Sequence, residues 1–97
     1  MKLEPRQLLI VYVALRNNED GSARLHPIDK QSTALSLYEK IDTAIERVPV
    51  ENGENLQFNE CELEFSSEES VYLKQLLSRS WDVDQIKVKE SLLSLLK

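Results

Sequence analysis

The chain has 97 residues, 41% of them hydrophobic and 30% charged, with two Gly, three Pro, one His and one Cys. A domain of this length buries roughly 60–65% of its unfolded surface, so residues 1–97 read as a single domain, with a core but no deep, walled active site. The lone thiol, Cys61, excludes an internal disulfide and a Cys/His zinc cluster.

The net charge of −5 is unevenly spread: the first fifty residues carry seven bases and seven acids, whereas residues 51–97 carry ten acids and five bases. Residues 51–69 hold seven glutamates and no base. Binding to a phosphate backbone rests on Lys and Arg replacing counterions, so direct nucleic-acid binding is disfavoured. The longest apolar run, residues 8–15, spans eight residues, far short of the ~20 a bilayer span needs. Lys2 and Arg6 precede it as a signal peptide's basic region would, but Arg16, Asn17 and Asn18 stand where small cleavage-site residues belong. The expectation is a mature cytoplasmic protein with no membrane contact.

Residues 1–4 suit a short edge strand. Pro5 fits the first turn of a helix, where its missing N–H leaves nothing unsatisfied, and Leu8, Leu9, Val11, Tyr12 and Leu15 follow at helical spacing. The competing pattern is a buried strand, because residues 10–13 all favour β structure. In that alternative an N-terminal β-hairpin over residues 8–28, closed at Asp20-Gly21, replaces the first helix. Pro5, Arg6, Gln7, Ala14 and Leu15 favour the helix. Residues 17–29 form a connector, in which Pro27 confines residues 24–28 to a loop or edge strand.

A second helix is expected over residues 30–47, on the stripe Ala34, Leu37, Tyr38, Ile41, Ala44, Ile45 and Val48, with Pro49 ending it. Residues 50–55 read as a polar turn around Asn52-Gly53. Beyond it Leu56 and Phe58, then Cys61, Leu63 and Phe65, alternate with polar residues. The phase slips by one between Phe58 and Cys61, which implies a bulge or two short strands.

Ser66 and Glu69 have the spacing of a capping box opening a third helix, with Leu73, Leu76 and Leu77 as its buried face. Asp82 and Gln85 repeat the box for a fourth helix, and Trp81 with Ile86 occupies the positions of a hydrophobic staple. The predicted fold is α+β and mostly helical, with about four helices and a small strand element near residues 59–65. Lys2-Leu3-Glu4 before the first helix faintly echoes Glu62-Leu63-Glu64 before the third.

Few residues carry chemistry. His26 is the only histidine and lies in a loop, where a solvated side chain is the expectation. Two glycines cannot build a GxGxxG or P-loop phosphate cradle. Cys61 alternates with Leu63 and Phe65 and belongs to the core; Glu60 and Glu62 beside it are the opposite of what lowers a thiol's pKa. Glu60, Glu62 and Glu64 share one strand face. The bland reading is a solvated face that blunts a sheet edge; a small enzyme using them as a general acid/base row is the remoter one. With Glu68 and Glu69 they form a candidate partner-binding acidic face, able to imitate nucleic-acid charge in a basic cleft. Leu92, Leu93, Leu95 and Leu96 cover more than one face of the last helix and form a candidate homodimer face. No catalytic, cofactor-binding or metal-binding residue is assigned.

The start MKLEPRQLL, the mid-chain segment LSLYEKIDTAIE, and ELEFSSEESVYLKQLL running into a short acidic-capped last helix together resemble small accessory proteins encoded by bacteriophages and prophages. The resemblance covers about half the chain and transfers no active-site residue. It implies a cytoplasmic, non-enzymatic protein that acts on another protein in an infected or lysogenic cell. The leading functional expectation is accordingly a protein-interaction module, docking on a partner or forming a homodimer. The alternative is an acidic inhibitor that mimics nucleic acid.

Overall fold

In the computed structural model, which describes residues 1–96, two short strand–helix units set the frame. β1 (Lys2–Leu3) leads into α1 (Pro5–Arg16), and β4 (Cys61–Glu62) leads into α3 (Ser67–Leu77). The strands pair antiparallel, Lys2 opposite Glu62 and Leu3 opposite Cys61. The sequence echo therefore marks two segments that meet in space. Each helix start is tied by a side chain three residues on: Gln7 Oε1 accepts the Glu4 N–H at 2.9 Å. At α3 the reciprocal box is complete, with Ser66 N–H donating to Glu69 Oε1 at 2.7 Å and Glu69 N–H to Ser66 Oγ at 3.1 Å. Both arrangements satisfy N–H groups that a helix start leaves orphaned.

Between the two units lie a 3-10 turn (Ile28–Lys30), α2 (Gln31–Asp42) and a hairpin of β2 (Ile45–Val50) and β3 (Gly53–Phe58); α4 (Val83–Leu95) follows α3. Among the described residues the fold is thus α+β and mostly helical, with four α-helices and two small antiparallel sheets. α1 is central, touching α2, α3, α4 and β3. Leu8, Ile10, Val11, Ala14 and Leu15 are all buried, as expected of a helix that is apolar nearly all round. That burial outweighs the β propensity of residues 10–13, so the alternative hairpin over residues 8–28 does not form. Leu3, Leu37, Ile41, Leu73, Leu77 and Leu92 belong to the same core cluster, each contributing about 1.5–3 kcal/mol by leaving water.

The second helix is shorter than its stripe predicts. It ends at Asp42, and Ile45, Val48 and Pro49 belong to β2. The polar turn narrows to residues 51–52, and its flanks belong to two paired strands, in register from Ile45 opposite Phe58 to Val50 opposite Gly53. Proline is tolerated because both strands of a two-stranded sheet are edges. Gly53, at φ +140°, takes a backbone conformation that side chains disfavour. The hairpin docks through Phe58, edge-on to Tyr12 with ring centroids 5.6 Å apart, while Asn59 N–H donates to the Ala44 carbonyl at 2.9 Å. The phase slip after Phe58 marks the change from one sheet to the other, which is the two-strand option.

The start of α4 also differs from expectation. Asp82 is the N-cap residue but makes no side-chain cap; its carbonyl accepts the N–H groups of Gln85 and Ile86 at 2.8 and 3.1 Å. Ile86 is exposed. Trp81 is held from the other side, its indole N–H donating to the Leu77 carbonyl at 3.0 Å and the Arg79 guanidinium lying 4.3 Å from its ring centroid. Trp81 thus fastens the α3–α4 link.

Candidate functional site

The chain leaves α1 through a turn built from short polar side chains. Gly21, at φ +85°, donates its N–H to the Asn18 carbonyl, and Asp20 Oδ1 accepts both the N–H and the hydroxyl of Ser22, at 2.9 and 2.6 Å. Asn17 bridges Ala23, and Arg24 N–H returns to the Arg16 carbonyl at 2.9 Å. Asp20-Gly21 is therefore a turn, but one that folds the connector back on the end of α1.

This return delivers His26 to the interior edge of the bundle. Its Nε2 lies 2.9 Å from the Leu15 carbonyl, which can only accept, so Nε2 carries a proton. Nδ1 stands 2.6 Å from the Tyr72 hydroxyl and accepts from it in the neutral ring. Burial raises the Tyr72 pKa, which keeps the phenol a donor. The expectation of a solvated histidine is thus corrected: half-buried His26 clamps the connector to α1 and α3. The reason is tertiary, since Tyr72 lies 46 residues away.

Two clefts flank Arg24. The first, of about 480 Å3, lies between the connector and α2, with Leu15, Ala34 and Tyr38 among its lining. Leu25 and Leu35 line it as well and are 89% and 57% exposed. Ile28, between them in sequence, is 88% exposed. Arg16 borders the cleft, its guanidinium 5.3 and 5.7 Å from the ring centroids of Tyr12 and Tyr38 and donating to the Tyr38 hydroxyl at 3.1 Å. The second cleft, of about 500 Å3, is polar and lies between the turn and the end of α3, with Arg24 and Arg79 in its wall.

Of the acidic residues singled out from sequence, Glu60, Glu62 and Glu64 gather at the start of the chain, whereas Glu69 leaves the surface. Glu60 pairs with Lys2 at 2.6 Å, and Glu62 and Glu64 stand 3.4 and 3.2 Å from the amino group of Met1. Glu68 is exposed. Glu69 is buried and points inward, accepting from Lys40 Nζ at 2.6 Å, Ser36 Oγ at 2.6 Å and the Ser66 N–H. Burial alone would raise its pKa, but those donors and the Lys40 charge outweigh it and hold the carboxyl at about 2.

The leucines of the last helix are likewise divided. Leu92 and Leu96 are core residues, Leu93 is half-buried and Leu95 is exposed. Cys61 packs half-buried against the core, and burial, then the charge of Glu62, raises its thiol pKa. Among the described residues no group of three His, Cys, Asp or Glu is placed to hold a metal ion. Nor, among them, is any helix long and apolar enough to cross a membrane.

Sequence reasoning missed Leu25, Leu35, Arg24 and Arg79. Leu35 falls off the buried stripe of α2 and Leu25 is an apolar residue in a polar connector, so both left a trace. The two arginines left none, because only the return of the connector onto α3 brings them to one cleft. No family model, no curated protein and no solved structure matches the chain.

Proposed function

We propose that this chain is a small non-enzymatic protein-interaction module, of the phage- or prophage-encoded accessory kind, that docks a partner protein on the cleft between its connector and α2. The observation that carries this reading is the exposure of Leu25 and Leu35 around one cleft. Single exposed leucines are ordinary; two lining one concavity offer a contact surface. Arg16 and Arg24 at the same cleft suit an amphipathic segment with apolar side chains and an acidic flank. A non-enzymatic role is supported by how the reactive groups are occupied: both His26 nitrogens are engaged, the Cys61 thiol is held protonated and Glu69 is ion-paired.

The test is affinity capture from bacterial lysate with quantitative mass spectrometry, comparing the natural chain with Leu25→Glu/Leu35→Glu and with Glu62→Lys/Glu64→Lys/Glu68→Lys. Both positions of the first variant are exposed, so the fold is expected to persist. A partner retained by the natural chain and the lysine variant but lost by the leucine variant is the expected outcome. Loss with the lysine variant alone would overturn the reading in favour of an acidic mimic.

A further inference from the structure

The polar cleft carries a different chemistry. Arg24 reaches it from the connector and Arg79 from just beyond α3. Each has a buried Nε–H with no acceptor among the described residues. Neither lies within ion-pair distance of a carboxylate among those residues. Folded proteins leave few such groups unsatisfied, since an unpaired buried donor forfeits its hydration without replacement, the more so when charged.

Arg79 is also held in place. One Nη donates to the Asn17 carbonyl at 2.5 Å and the guanidinium stacks on Trp81. Its pKa is lowered by burial and then by the positive charge of Arg24, with Glu19 acting in the opposite sense. Two like charges therefore sense each other across the cleft. The two acids in the same wall hydrogen-bond elsewhere, Glu19 Oε1 accepting the Ser80 N–H at 2.8 Å and Asp20 accepting from Ser22, but they keep their charge. Gln75 and Ser78, exposed in the same wall, offer further donors.

We propose that this cleft is an oxyanion site in which Arg24 and Arg79 together hold one phosphate group, either free or on a small phosphomonoester. Paired guanidinium forks match phosphate oxygens in geometry, and a phosphate has oxygens enough for both forks at once whereas a carboxylate fills only one. The cleft, at about 500 Å3, is larger than a phosphate alone and leaves room for an organic group. Arg24 borders both this cleft and the apolar one, whereas Arg79 borders only this one of the two, so Arg79→Lys tests the site separately from partner docking.

The test is a titration of 15N-labelled protein with inorganic phosphate, glycerol phosphate and acetate, each against sodium chloride at matched ionic strength. Both phosphate compounds are expected to give saturable shifts at millimolar concentration in the Nε–H signals of Arg24 and Arg79 and the amides of Asn18 and Ser78. Acetate is expected to move them far less. Tighter binding of glycerol phosphate would place the organic group in the cleft as well; equal binding would assign the site to the phosphate group alone. Arg24→Gln is expected to weaken binding by about tenfold or more. Arg79→Lys, which keeps the charge but loses the fork, is the second variant should Arg24→Gln disturb the fold. No saturable shift with either phosphate compound, acetate acting as strongly, or unchanged affinity in both variants would overturn the proposal.

Discussion

Glu69 is where charge and stability are most tightly joined in this protein, and replacing it with glutamine isolates the charge. Glutamine keeps one oxygen to accept the Ser66 N–H, and its amide N–H can donate to Ser36 Oγ in place of the hydroxyl's bond to the second carboxylate oxygen, so the helix start keeps its partner while the ion pair with Lys40 is lost. The folded carboxyl titrates at about 2 against an ordinary value of 4.5, a difference corresponding to about 3 kcal/mol. Lys40 is 36% exposed and its freed ammonium can turn to water, so the loss in Glu69→Gln is expected to be about 2–3 kcal/mol near neutral pH. Below its ordinary pKa the unfolded chain binds a proton that the folded chain refuses. Stability from this group is therefore complete above about pH 4.5 and falls away as pH drops towards about 2.

Urea denaturation followed by the fluorescence of Trp81, the only tryptophan, reads this directly. At neutral pH the midpoint is expected to fall by about 1–2 M, and the gap between the two proteins should narrow steadily between about pH 4.5 and about pH 2. A variant as stable as the natural chain at neutral pH would refute the reasoning. So would a gap as wide in strong acid as at neutrality.

The division of the last leucines predicts that Leu92→Ala destabilises the fold by about 2–5 kcal/mol, whereas Leu95→Ala changes it by less than about 0.5 kcal/mol; paired urea melts distinguish them. Light scattering on Leu95→Glu is expected to return the mass of the natural chain, and a mass that halved would instead restore the dimer face. His26→Ala strands the Tyr72 hydroxyl and the Leu15 carbonyl, at a cost of about 1–3 kcal/mol. Hydrogen exchange should then show faster opening of the connector before the helices, and uniform protection would contradict the clamp.

Several of these features depend only on neighbours in the chain and were legible without coordinates. The Ser66–Glu69 box forms because both partners lie within one helical turn. Pro5 opens α1, and Asp20-Gly21 turns because a short carboxylate and a glycine suffice for it. Even the phase slip after Phe58 correctly marked a break between strands. By contrast, Ile45 and Val48 have helical spacing, yet they stand on opposite faces of the strand β2. The contact of Phe58 with Tyr12 and the pairing with residues 53–58 resolved the segment as a strand.

The candidate sites lie at the far end of that scale. Leu25 and Leu35 line one concavity only because the connector folds back beside α2, and Arg24 meets Arg79 only because it also reaches the end of α3. Local sequence determined where helices and turns begin, since caps and turns are short-range hydrogen bonds. The tertiary structure alone decided which acids are buried, which leucines remain outside and which arginines share a cleft, because those depend on contacts between residues distant in the chain.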